Sequence, residues 1–383
     1  MATPMFPRRI LGLAMVSMGL FALAAQPPRA KAQDKPAAAA VEAPQVENAK
    51  LQTQAVSGNL AVTIEEIARR SEAPVWVAYG VEGLPGQHSA CCGNYSDGDH
   101  LCGKCRLEHF DGNNITATDS GKNPKTLHLE SAGQLFVLFR IAEKRVVKIR
   151  VASEDCVLDA GGLPFVWLTG AKSSESVALL STYLTSGDFA EHGHDHLGNG
   201  ALTAIALHGD SAADRALESF VAPNQNEHMR KQAAFWLGSA RGKSGLTVLE
   251  RMAKSDPSPE VRAHVAFAFQ CSKEPAAVDD MIRMAHQDES AHVRGQALFW
   301  LAQKAGQKAV STIQGAIDAD PDTEVKKKAV FALSQLPKDE GVPKLIEVAQ
   351  TNRNPAVRKQ AMFWLGQSHD PRALDFFEKI LSR

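Results

Sequence analysis

VRKQAMFWLG, residues 357–366, is the last copy of a pattern that recurs along the C-terminal half of this chain. Its anchor pair appears as Met229-Arg230, Val261-Arg262, Val293-Arg294, Val325-Lys326 and Val357-Arg358, each 32 residues after the one before. A weaker copy begins at Leu197, with Ala201 in register with Ala233, Val265, Ala297, Ala329 and Ala361. Between the copies lie segments near 211–221, 244–254, 275–287, 307–318, 339–350 and 370–382, with another near 175–186, whose apolar residues fall three and four apart, the spacing of one helix face. Ser258-Pro259 and Asn354-Pro355 each place a capping side chain before a proline at the first helical position. Tandem helix pairs at a fixed interval stack into a solenoid, because no single pair can bury its apolar face alone.

Taking the anchor as position zero and advancing about 100° per residue, offsets 0, 4 and 8 share a side and form the core face. Offset 6 lies nearly opposite, where a solvent-facing helix carries polar residues. Here it is Phe235, Phe267, Phe299, Phe331 and Phe363. Offset 3 supplies Gln232, Gln296 and Gln360, with His264 and Lys328 in the intervening repeats. An aromatic row flanked by amides suits a groove for an extended peptide or partner helix, since rings supply burial and amides satisfy backbone groups. The same row would also serve packing between neighbouring repeats, and periodicity alone does not separate the two. Gln-Ala-x-Phe-Trp-Leu at 232–237, 296–301 and 360–365 adds a 64-residue period, in which Trp236, Trp300 and Trp364 alternate with Ala268 and Ala332. Large against small suggests interdigitation, with the tryptophans mainly in the core.

These residues resemble HEAT repeats of the short, phycobilisome-lyase-like type, over about half of the chain. SEDC…DAGGLP at 153–164 extends the resemblance to bacterial exported HEAT-repeat proteins. The resemblance implies a mainly α fold with an armadillo-like solenoid at 171–383 and brings no activity. Some HEAT-repeat proteins are di-iron hydroxylases that bind metal through His-Glu dipeptides. This sequence has no His-Glu dipeptide, so that activity is not carried over.

The N-terminal part reads differently. Arg8-Arg9 followed by the apolar run from Ile10 to Ala25 is too short to span a bilayer and reads as an export signal, with cleavage after Ala32. Residues 33–58 are Ala, Pro and Gln with few large apolar side chains, the composition of a disordered linker. Residues 59–170 read as a small β-rich α+β domain. A helix is expected near Ile64–Arg70 and a strand at Val75–Tyr79. A hairpin of Gln134–Ile141 and Val146–Val151 turns at Glu143-Lys144, and a further strand lies at Leu163–Leu168, giving an antiparallel sheet.

Cys91, Cys92, Cys102 and Cys105 form a dense cluster in that domain, with Cys156 nearby. Export favours disulfides among these five, while zinc and a redox Cys-x-x-Cys remain alternatives. His192, His194 and His196 alternate in a turn and could bind a transition metal or remain a solvated loop. No Gly-x-Ser-x-Gly or Gly-x-Gly-x-x-Gly occurs, so no nucleophile elbow, dinucleotide fingerprint or cofactor is implied.

Removing residues 1–32 leaves 38 basic against 43 acidic residues, a net charge of −5 that gives no footprint for nucleic acid. No later run is long and apolar enough for integral membrane insertion. The expectation is an exported, non-enzymatic scaffold in the periplasm or outside the cell, binding a protein or peptide. The alternative is a metal-binding or thiol-redox function in the Cys/His cluster, with the solenoid as its mount.

Overall fold

Strand Val75–Glu82 (β3) is built of VWVAYGVE and is buried on both sides over its first seven residues, so something must cover each face of the sheet it enters. The computed structural model describes residues 42–84, 88–91, 94–97, 104–108, 133–185 and 196–382. All belong to the compact unit Val41–Arg383. The expected export signal and residues 33–41 of the expected linker lie outside the described residues.

The rest of the expected linker contributes strands Gln45–Glu47 (β1) and Leu51–Ala55 (β2). All five residues of β2 are exposed, so no apolar alternation marks it, and its place comes from main-chain pairing at a sheet edge. Helix α1 (Leu60–Arg70), capped by Asn59 onto the Val62 amide, carries the chain across to β3. The short strands His88–Cys91 (β4) and Asn94–Asp97 (β5) form a hairpin, and Lys104–Arg106 (β6) follows. Gln134–Ala142 (β7) and Arg145–Ser153 (β8) form the expected hairpin. Its turn residues Glu143 and Lys144 both have positive φ, 52° and 58°, as a two-residue turn matched to strand twist requires. Val157–Asp159 (β9) and Phe165–Thr169 (β10) complete the set.

The main sheet runs β2-β10-β3-β7-β8. Strand β10 pairs parallel with both β2 and β3, which corrects the expected antiparallel sheet. Parallel neighbours need a crossover, and α1 supplies it between β2 and β3. One face of the sheet, with Trp76, Phe136, Phe165 and Trp167, closes over Cys105, Cys156 and Leu158 beside the small sheet β1-β9-β6. Trp76 Nε1 donates to Glu108 at 2.7 Å, and Arg140 Nε bonds the same carboxylate oxygen at 2.9 Å.

The opposite face, with Val77, Tyr79, Val137 and Phe139, is continuous with the helical core. Helices α2 (Ser173–Thr185), α3 (His196–Leu207) and α4 (Ser211–Phe220) join sheet to array, so residue 170 marks a change of secondary structure within one core. Helix α3 lies so close to β8 that a β-carbon on Gly200 would collide with the Ile149 carbonyl. Gly200→Ala is therefore expected to lower unfolding free energy by about 1–3 kcal/mol through overpacking. Urea denaturation would show this as a lower midpoint with an unchanged slope.

The array continues as helix pairs α5 (Glu227–Ala240) and α6 (Gly242–Ser255), α7 (Pro259–Cys271) and α8 (Ala277–Gln287), α9 (Ala291–Ala305) and α10 (Val310–Ala319), α11 (Thr323–Ser334) and α12 (Lys338–Thr351), and α13 (Pro355–Gln367) and α14 (Pro371–Leu381). Ser258 and Asn354 cap α7 and α13 as expected, with Pro259 and Pro355 at the first helical positions. The anchors Met229, Val261, Val293, Val325 and Val357 are all buried. The first helices of successive pairs pack closely along the whole array, whereas the second helices touch each other sparsely. The tighter layer of a curved two-layer array is its inner one, so α5, α7, α9, α11 and α13 line the concave side.

A row of ion pairs joins the pairs, and it shows what the recurring arginine does. Arg230 Nη2 donates to Asp256 at 3.1 Å, Arg262 Nε to Asp288 at 2.9 Å, and Arg294 Nε to Asp320 at 2.8 Å. Each next arginine reaches back to the same turn: Arg262 Nη1 donates to the Asp256 carbonyl at 2.9 Å and Arg294 Nη1 to the Asp288 carbonyl at 3.0 Å. The rungs end together where Lys326 replaces arginine and Asn352 replaces aspartate.

Candidate partner-binding face

Offset 6 of each first helix points away from the anchor row, and the structure places its five phenylalanines on the concave layer. Phe235, Phe267, Phe299 and Phe331 are half-buried and Phe363 is 53% exposed. They are neither sealed inside the body nor fully open, because each leans on the next repeat. Phe235 stacks on Phe267 with centroids 5.9 Å apart and planes 13° apart, and Phe299 stacks on Phe331 at 5.6 Å and 6°. The tryptophans close the gaps: Trp300 meets Phe267 at 4.8 Å and Phe299 at 4.7 Å, and Trp364 meets Phe331 at 4.8 Å and Phe363 at 5.0 Å. With Trp236 against Phe235 at 5.2 Å, the rings form one unbroken ladder along α5, α7, α9, α11 and α13.

This refines the expected role of the tryptophans. Trp236 is buried, but Trp300 and Trp364 are half-buried bridges between ladder segments, which is why Gln-Ala-x-Phe-Trp-Leu recurs every second repeat. Small Ala268 and Ala332 at the same offset are fully buried and leave the room that alternation needs.

Gln232, Gln296 and Gln360 flank the ladder, half-buried, and their amides bond to no other group among the described residues. In the intervening repeats His264 packs edge-on to Phe267 at 5.4 Å, and Lys328 lies across Gly295 of the preceding first helix. Burial, and secondarily the charge of Lys231, hold the His264 imidazole down at a pKa of about 4, so it is neutral at physiological pH. Between α11 and α13 an open depression of about 360 Å³ is lined by Glu324, Lys327, Lys328, Phe331, Gln360 and Trp364. The Trp364 Nε1 proton is buried with no acceptor among the described residues. Aromatic edges and free amides on one concave strip can bind apolar groups and hydrogen-bonding groups together.

The N-terminal candidates fall out differently. Cys105 on β6 and Cys156 before β9 are both buried and both disulfide-bonded. Cys91 lies on β4 and His196 opens α3, whereas Cys92, Cys102, His192 and His194 lie outside the described residues. Among the described residues no three His, Cys, Asp or Glu side chains converge as metal ligands. No helix of the described residues is long and apolar enough to cross a membrane.

A family model of HEAT repeats matches residues 215–302, 252–333, 278–352 and 311–383. Residues 215–383 are HEAT repeats. No curated protein matches the chain. Among solved structures, human deoxyhypusine hydroxylase in complex with glycerol is 14% identical with a TM-score of 0.29, covering 54% of this chain and 90% of that one. The CpcE and CpcF complex of phycocyanin lyase from Nostoc sp. PCC7120 is 20% identical with a TM-score of 0.28, covering 52% of this chain and 79% of that one. At these identities and TM-scores the likeness assigns no activity, substrate or partner. The expectation of a non-enzymatic chain, drawn from missing motifs, does not stand: structures similar to this one include a hydroxylase and a lyase.

Periodicity reasoning missed Lys231 and Lys359 beside the ladder, and it missed the aspartate rungs although Asp256, Asp288 and Asp320 also recur every 32 residues.

Proposed function

We propose that the concave first-helix face of the HEAT array binds an extended segment of a protein partner, and that the protein acts outside the cytoplasm. The observation that carries the reading is the ladder itself: rings half-covered by one another, beside amides with no partner of their own. A bound segment could cover these ring edges and exchange its backbone groups for the water that the amides otherwise meet. The export reading draws support from Arg8-Arg9 with its apolar run and from the buried, disulfide-bonded Cys105 and Cys156, since disulfides persist in oxidising compartments. Burial of both sulfurs suits a structural cross-link more than the thiol-redox alternative, which needs an accessible thiolate.

An array of immobilised random-sequence peptides, probed with the full chain, tests the face. Phe331→Ser is expected to remove most of the binding while lowering the melting temperature only slightly, because its ring is already half in water. A large drop in melting temperature with peptide binding retained would make the ladder a packing device and end the proposal.

A further inference from the structure

The geometry points to a specific kind of occupant for the ladder: an acidic, proline-rich segment of a protein partner in the polyproline II conformation. The inference rests on the reading of the concave face given above.

Spacing gives the conformation. Packed helices lie about 8–10 Å apart, and one polyproline II turn of three residues at about 3.1 Å each advances about 9 Å. A segment in that conformation would therefore advance one turn for each first helix it crosses. A β-strand repeats every two residues, about 6.6 Å, and falls out of step with the helices. Polyproline II also leaves its carbonyls free of internal hydrogen bonds. The ladder offers donors to meet them at two-repeat intervals: the amides of Gln232, Gln296 and Gln360.

Ring orientation gives the polarity. Stacking at 5.6–5.9 Å occupies the faces of Phe235, Phe267, Phe299 and Phe331, so water meets their edges. Aromatic edges carry the positive part of the quadrupole and favour carbonyl and carboxylate oxygens.

Charge gives the composition. Of the acids beside this strip, Glu324 is paired with Lys327 at 3.0 Å and Glu260 lies 3.5 Å from His292. Lys231, Lys328 and Lys359 share the ladder side of α5, α11 and α13 and have no acidic partner among the described residues. The net field along the strip is thus positive although the processed chain is acidic overall, and an acidic segment is the complement.

Titration calorimetry of the full chain with three peptides of about twelve residues, four polyproline II turns, tests this. The repeating units are Pro-Pro-Glu, Pro-Pro-Lys and Gly-Ser-Glu. The Pro-Pro-Glu peptide is expected to bind at least about tenfold more tightly than either other peptide and to weaken as salt is raised. Lys231→Glu combined with Lys328→Glu is expected to weaken it about tenfold or more. Lys359→Glu, at an exposed position, should weaken it in the same direction without any demand on folding. Equal or tighter binding of the Pro-Pro-Lys peptide would overturn the charge argument, and equal binding of Gly-Ser-Glu would overturn the conformational one. Self-association of the chain that Phe331→Ser abolishes would assign the face to a second copy and overturn the inference. Random peptides that bind through Phe331 while Pro-Pro-Glu does not would overturn this inference and leave the broader one standing. If no peptide depends on Phe331, both fall.

Discussion

Arg262→Ala is expected to lower the unfolding free energy by about 3–5 kcal/mol, the range for removing one partner of a buried pair. The Arg262 and Asp288 side chains are only 7% and 5% exposed, and the guanidinium makes two bonds to that carboxylate, at 2.9 and 3.1 Å. The hydrogen bonds to Asp288 hold the Arg262 pKa above its usual value. Truncation would leave the buried Asp288 carboxylate with the Ser290 amide as its remaining partner among the described residues. It would also free the Asp256 carbonyl one repeat earlier, so the damage spreads to both neighbours. Replacing both members, Arg262→Met with Asp288→Leu, is expected to restore much of the loss, because apolar packing of similar volume avoids the desolvation of two ions. Urea midpoints of the single and double variants measure both effects. A loss below about 1 kcal/mol, the scale of a surface pair, would show the rungs to be solvent-screened.

The second large effect is acid sensitivity at the join between sheet and array. His208, wholly buried after α3, approaches the Ala204 carbonyl through Nδ1 at 2.5 Å and Ser176 Oγ through Nε2 at 2.8 Å. A carbonyl can only accept, so Nδ1 carries the proton and Nε2 is bare. Ser176 therefore donates to Nε2 and in turn accepts from the Tyr79 hydroxyl at 2.7 Å. This directed chain ties β3 to α2 and α3. The His208 carbonyl accepts from Arg241 Nη1 at 2.7 Å, and the Gly209 amide donates to the Glu82 carbonyl at 2.9 Å. Desolvation lowers the His208 pKa from 6.5 to about 4, with the Arg241 charge adding to it while the Ala204 bond and Asp210 oppose it.

The sign follows from where the proton goes. Between about pH 6.5 and 4 the unfolded chain takes up a proton on this histidine and the folded chain does not. The contribution is therefore complete above pH 6.5 and is lost as pH falls, at about 1.4 kcal/mol per unit and about 3 kcal/mol in all. Protonation would also turn Nε2 into a second donor facing the Ser176 hydroxyl. His208→Gln, which can still donate and accept, is expected to flatten this part of the stability profile relative to the unmodified chain. The difference between the two profiles removes the parallel contribution of His264, whose pKa is also held near 4. Parallel profiles would show that His208 does not set the acid limit.

Much of this architecture is written in the chain order. A 32-residue interval fixes where helix pairs stack, because each anchor must return to the core face once per repeat. Ser258, Asn354 and their following prolines fix where helices start, because capping is a contact within four residues. The β7–β8 hairpin was legible for the same local reason. What escaped was non-local. Strand β2 carries no apolar alternation and is held by β10, more than a hundred residues away. The parallel placement of β10 between β2 and β3 depends on a crossover that no local pattern encodes.

The candidate face divides in the same way. Periodicity by itself determined that five phenylalanines and three glutamines lie in one row on the side away from the core. Whether that row would be sealed, stacked or open was decided by the distance and tilt between neighbouring helices, which packing of the whole array sets. Only the folded chain pairs Phe235 with Phe267 and Phe299 with Phe331, bridges them through Trp300 and Trp364, and leaves Lys231, Lys328 and Lys359 without acids. A helix period reports direction around one axis. It does not report how near the next axis lies, and that distance decides whether an aromatic side chain supports the fold or faces a partner.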